Sequence, residues 1–165
     1  MDWLPDELQL ASGSLEEDYK KLYKVFESDF IKSKVYYNGE RIIYQKAIDN
    51  KTPGGYPHGF THLITRKNGN QRIIDYDRAV RLPWVKAVIE HADDPAVVIL
   101  TAKRYTKNNG LTDNTYLWLE EKKFLIILSR INHGKNRGQM IITAYTITEN
   151  YVVKKLEDIR RKLLN

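Results

Sequence analysis

The chain has 165 residues, 42% apolar and 11% aromatic, which suits one globular domain with a real core and excludes a disordered chain. A net charge of +6 and a pI near 9.3 favour a polyanionic partner such as nucleic acid. Cysteine is absent, so disulfides and thiolate metal centres are excluded, and no apolar run approaches the roughly 20 residues of a membrane span.

The N-terminal MDWLPDELQL has acids where a signal peptide carries bases, so the expected compartment is the cytoplasm. Ser14-Leu-Glu-Glu17 reads as a capping box. Behind it Leu15, Tyr19, Leu22, Tyr23, Phe26 and Phe30 recur at helical spacing and predict a helix to about Ser33. Asn38-Gly39, between Val35-Tyr-Tyr37 and Arg41-Ile-Ile-Tyr44, predicts a β-hairpin. Residues 47–59, with Pro53, Gly54, Gly55 and Pro57, read as a loop leading into F-T-H-L-I-T. There Phe60, Leu63 and Ile64 can anchor a short element from which His62 projects.

Residues 67–78 read as a polar loop or second excursion. Asp77–His91 predicts a helix with Pro83 in its first turn and Leu82, Val85 and Ile89 buried, Trp84 and Val88 beside them. Asp93-Asp94-Pro95 stops it. Four strands follow in meander order, roughly Ala96–Tyr105, Thr115–Leu119, Phe124–Arg130 and Gln139–Ile147. Their links are Lys107–Asn114, the charged turn Glu120–Lys123, and Asn132–Gly138. A helix from about Tyr151 to Leu164, apolar at Val152, Val153, Leu156, Ile159 and Leu163, closes the chain. The expected fold class is α+β: N-terminal helices and a short hairpin, a four-stranded antiparallel meander and a C-terminal helix. It forms one domain, residues 1–59 being an extension and 60–165 the core.

His58 and His62 have the spacing of a helical ligand pair. The residues between them lack the glutamate of a zinc-protease motif, and Pro57 and Gly59 argue against a helix, so neither metal nor cofactor is expected. Metal-free RNA cleavage needs a base for the 2′-hydroxyl, an acid for the leaving 5′-oxygen, and fixed donors for the phosphorane. His62 is the candidate acid or base, and Arg66, Arg78, Arg81 and Lys103 are candidate cations. Thr143 and Tyr145, two apart on one strand, are candidate hydroxyl donors, and Tyr145 can also stack on a base. The loop N-H-G-K-N-R-G brings His133, Lys135 and Arg137 toward phosphates. Plainer readings stand beside these. His62 can be a hydrogen-bonded structural histidine, Thr143 and Tyr145 ordinary strand formers, Arg78 and Arg81 partners of Asp75 and Asp77, and Lys103-Arg104 a solvated patch. His91, in the last turn of its helix, reads as structural.

Several blocks taken together carry a resemblance. They are L-P-D-E-L, Y-K-V-F-E-S-D-F-I, V-Y-Y-N-G-E-R-I, F-T-H-L-I-T, R-A-V-R-L-P-W-V-K-A-V-I-E-H, Y-L-W-L-E-E-K-K-F-L-I-I-L and the closing T-A-Y. In this order, over nearly the whole chain, they resemble a phage- and prophage-associated nuclease family of the barnase–EndoU–colicin–RelE (BECR) superfamily. The resemblance implies a helical N-terminal part and a four-stranded sheet that binds and cuts RNA without metal. It implies His62, Arg81, Thr143 and Tyr145 as catalytic residues. Arg66, Arg78, Trp84, Lys103, Arg104 and Lys135 are then expected to bind substrate. The family often has an arginine at the start of the second strand; here Asn114-Thr-Tyr116 stands there, with Lys103 or Arg104 on the preceding strand as substitutes.

The leading expectation is a metal-independent RNA endonuclease of toxin or phage-conflict type, cleaving by attack of the 2′-hydroxyl. Its partners would be RNA, tRNA included, and an acidic immunity or antitoxin protein. Two other classes stay open: a non-catalytic RNA-binding module, and a structural phage protein whose basic face meets acidic partners.

Overall fold

A computed structural model describes residues 1–10, 13–107, 110–133 and 136–165, Asn136 by its backbone alone. Helix α1 spans Leu15–Phe26 and runs on through a π-helical turn, Glu27–Ile31. Ser14 caps it, its hydroxyl accepting from the Glu17 N–H at 3.4 Å. The buried face is Tyr19, Leu22, Phe26 and Phe30, one turn apart each time. Leu15 departs from the expected stripe; it sits in the first turn, 50% exposed, beyond the edge of the core.

The hairpin forms where Asn-Gly requires it, between β1 (Tyr36–Tyr37) and β2 (Glu40–Ile43). Asn38 at φ 51° and Gly39 at φ 79° supply the two left-handed residues of its turn. The expected meander is also present, as β5 (Val97–Thr106), β6 (Gly110–Leu119), β7 (Phe124–His133) and β8 (Asn136–Thr146). These strands run further than their apolar segments. Polar residues such as Lys103, Asp113, Asn132 and Arg137 extend both outer hairpins, because backbone ladders need no particular side chain.

A meander alone is not the whole sheet. β2 pairs with β8 in parallel (Ile42 opposite Gln139, Ile43 opposite Met140), so the order is β1-β2-β8-β7-β6-β5 and the six-stranded sheet is mixed. Gly138 permits that junction. It is buried with φ 154°, and a methyl group there would run into the Arg41 carbonyl oxygen. Gly138→Ala is expected to lower stability by about 1–3 kcal/mol through this clash. Urea denaturation measures it, and an unchanged midpoint would show that the β2–β8 edge yields without cost.

Three further segments differ from expectation. His58–Ile64 forms a helix, α2, despite Gly59; Pro57 lies just before its first residue, where a missing N–H costs nothing. Burial of Phe60, Leu63 and Ile64 outweighs the roughly 1 kcal/mol helix penalty of glycine. Residues 65–74 form a small hairpin, β3 (Thr65–Asn68) with β4 (Gln71–Ile74), rather than a loop. Its charged sequence has no apolar alternation by which to predict it. The helix expected over 77–91 is two, α3 (Tyr76–Ala79) and α4 (Leu82–Glu90). A continuous helix would drive the Pro83 ring into the Ala79 carbonyl, so the chain restarts with Pro83 in the first turn of α4.

The sheet has a helical layer on each face. α1, α2 and α4 cover Leu117, Leu119, Phe124, Ile126, Leu128, Ile141 and Ala144. On the other face α5 (Asn150–Leu164) brings Leu156, with Val152 and Ile159, against Leu100, Tyr116, Trp118, Leu125 and Ile127. Val153 and Leu163, expected on that stripe, are 36% and 51% exposed: Val153 is turned off the Val152, Leu156, Ile159 row, and Leu163, though on it, stands in the last turn beyond the packed cluster. Among the described residues no helix is long and apolar enough to cross a membrane.

Candidate functional site

α2 is the element that gathers chemistry. Its Phe60 is held in a ring cluster, 5.1 Å from Tyr23, 5.4 Å from Phe26 and 5.1 Å from Tyr56. That packing fixes the orientation of the opposite side, where His58 and His62 stand one turn apart. His58 Nδ1 lies 3.4 Å from His62 Nε2, with the rings nearly perpendicular at 79°.

Behind them is Asp49, its side chain fully buried. Oδ2 accepts the hydroxyls of Thr52 at 2.8 Å and Thr61 at 2.7 Å, and Oδ1 accepts the Lys51 N–H at 2.9 Å. Oδ1 also lies 4.0 Å from His58 Nδ1. Burial alone would raise the carboxyl's pKa; the two hydroxyls, the amide and the neighbouring imidazole together bring it below its ordinary value.

Two arginines close the C-terminal end of α2. Arg78 Nη1 donates to the carbonyls of His62 at 3.2 Å and Thr65 at 2.8 Å. Arg72 donates to the Thr65 hydroxyl at 2.9 Å and carbonyl at 3.0 Å. Cations suit this end of the helix dipole, and their guanidinium groups are thereby set beside His62. Burial, then Arg72, His58 and Arg78, lower the His62 pKa to about 4, so the ring is neutral at pH 7.

Arg78 also reaches a hollow of about 330 Å³ on the side of β8 covered by α5. Arg66, Asp75, Asp77, Tyr145, Thr146, Glu149 and Tyr151 line it with Arg78. The Arg78 guanidinium lies 5.4 Å from the centroid of the Tyr145 ring. Its buried Nε makes no hydrogen bond and lies 3.6 Å from Asp75 Oδ2. Burial raises the pKa of the Tyr145 phenol, which stays protonated as a donor.

Of the residues expected in the site, Arg66, Arg78 and Tyr145 meet at this hollow. His62 does not line it; its ring faces His58, and Arg78 is the link between them. Thr143 and Tyr145, two apart, do share one face, opposite Ile127 and Leu125, and the β8 bulge at Ile142 turns that face toward α5. Thr143 does not line the hollow.

Arg81 does not line the hollow but borders it, donating to the Thr146 hydroxyl at 2.7 Å and the Asp77 carbonyl at 3.1 Å, both in its wall, and to Glu7 at 3.1 Å. Trp84 is a core residue, 7% exposed, edge-on to Phe124 and donating to the Pro5 carbonyl at 2.8 Å. Lys103, paired with Asp113 at 3.0 Å, lines a different hollow with Arg130 and Gln139. Arg104 is exposed on the same outer strand, and Lys135 lies outside the described residues.

Asp49 and Arg72 carry much of the geometry and were not expected. Asp49 had one local signal, D-N-K-T, in which an aspartate can accept from the amide two residues on and the hydroxyl three on. Its bond to Thr61 is twelve residues away and has none. Comparison of the chain with models of protein families, with characterised proteins and with solved structures finds no match in any of the three.

Proposed function

We propose that the protein binds single-stranded RNA and cleaves it without a metal ion, using the α2 histidines together with the arginines at the end of that helix. The observation that carries this reading is an imidazole pair 3.4 Å apart beside Arg78, whose other side opens on a hollow with Arg66 and Tyr145. Arg66 and Arg78 hold the non-bridging phosphate oxygens, and Tyr145 or Tyr151 stacks on a base. His62 takes the 2′-hydroxyl proton as the 2′-oxygen bonds to phosphorus. The bond from phosphorus to the 5′-oxygen breaks, and the Tyr145 phenol supplies the proton that oxygen gains. The product ends are a 2′,3′-cyclic phosphate and a 5′-hydroxyl.

The test is labelled single-stranded RNA incubated with the protein in EDTA, with the ends of any fragments identified. Cyclic-phosphate ends support the reading, and 3′-hydroxyl ends or no cleavage at all overturn it. A second reading, RNA binding without cleavage, is favoured by one observation: the His62 ring faces His58 rather than the hollow. Both readings expect affinity to fall with salt, with a log–log slope of about −1.4 for two phosphate contacts on a single strand. A filter-binding series checks this, and a slope near zero would remove RNA from both.

A further inference from the structure

We infer that Asp49, His58 and His62 form a binding site for one borderline transition-metal ion, with Zn²⁺ as the probe. Each residue brings a ligand atom within 4.8 Å of the other two. A tetrahedral ion with bonds of about 2.0–2.1 Å to nitrogen holds its ligand atoms roughly 3.4 Å apart. His58 Nδ1 and His62 Nε2 already stand 3.4 Å apart, and Asp49 Oδ1 lies 4.0 Å from His58 Nδ1. The third side, from Asp49 to His62, is within 4.8 Å, so closing on one ion draws the carboxylate and the His62 ring together as well as turning His58.

The carboxylate is built in rather than borrowed from the surface. Its side chain is fully buried, and the hydroxyls of Thr52 and Thr61 engage Oδ2 while the Lys51 amide leaves Oδ1 a lone pair toward the rings. Outer-shell bonds of this kind orient metal-binding carboxylates.

Two imidazoles and one carboxylate suit zinc and its first-row neighbours; a lone carboxylate is too few oxygens for calcium. His58 is 34% exposed at its side chain, which leaves a coordination position toward solvent. Arg72 and Arg78, held at the end of α2 by the Thr65 hydroxyl and the carbonyls of His62 and Thr65, oppose a bare cation nearby. Their charge favours an anion, phosphate or hydroxide, at the open position.

This assignment does not rest on the ribonuclease reading. A bound ion takes the imidazole lone pairs that acid–base chemistry needs, so the metal-loaded protein is the inactive state and the metal-free protein the one that cleaves by the route above.

The experiment is to strip the full chain with EDTA, remove the chelator, and titrate Zn²⁺ against a chromophoric competitor. One equivalent should bind. His58→Ala and His62→Ala should each weaken it by at least about 100-fold, and Thr61→Val, which frees one side of Asp49, by about 10-fold. His133→Ala should leave it unchanged. X-ray absorption of the zinc-loaded parent should show two imidazoles, a readout that needs no variant to fold. No stoichiometric uptake, a metal shell without imidazole, or undiminished affinity in the His58 or His62 variant would each overturn the assignment.

Discussion

His62→Gln is expected to lower RNA cleavage by about 10²–10⁴-fold, the usual worth of a positioned acid–base group, while leaving most RNA affinity in place. Glutamine keeps the size and helix propensity of the position but has no basic nitrogen. The partner of Arg78 at this residue is the backbone carbonyl, which the substitution does not touch. Single-turnover cleavage and binding, measured separately in EDTA, give the two numbers. Undiminished cleavage would remove His62 from the chemistry. Arg78→Met provides the contrast, since it removes a phosphate donor and both quantities should fall, cleavage by about 10²–10³-fold.

Phe60→Ala should cost about 3–5 kcal/mol, the largest stability loss expected of a single change here. The ring is fully buried among Tyr23, Phe26 and Tyr56, so its removal leaves a cavity in the core. Domains of this size have only about 5–15 kcal/mol in all, so the thermal midpoint should drop by roughly 6–20 °C. The consequence for the site is direct. Phe60 lies between His58 and His62 on one helix, so loosening it spoils their 3.4 Å approach even below the midpoint. A loss of under about 1 kcal/mol, measured by urea denaturation, would show that the ring cluster does not hold α2.

The two variants separate chemistry from scaffold, and they also mark how far the residues could be read in advance. The F-T-H-L-I block was legible as apolar residues anchoring a histidine. Its helix was not, because Pro57 and Gly59 count against one locally, while the burial of Phe60, Leu63 and Ile64 that overrides them is tertiary. Arg78 and Tyr145 do stand together at the hollow. Trp84 is instead in the core: a tryptophan after proline at a helix start looks the same whether its face is open or covered. Lys103 and Arg104 lie on the outer strand β5, four places along the sheet from β2 and three from β8, and strand order cannot be deduced from basic residues.

By itself the sequence determined whatever depends on neighbours a few residues apart. The Ser14 cap, the Asn38-Gly39 turn, the period of α1 and the apolar cores of β5–β8 all formed as their spacing required. Only the tertiary structure decided the parallel seam of β2 with β8, the face taken by Thr143 and Tyr145 after the Ile142 bulge, and the meeting of Asp49 with His58 and His62. Those outcomes depend on which distant segments close together at least loss of chain entropy and greatest gain in burial. No local period encodes that balance.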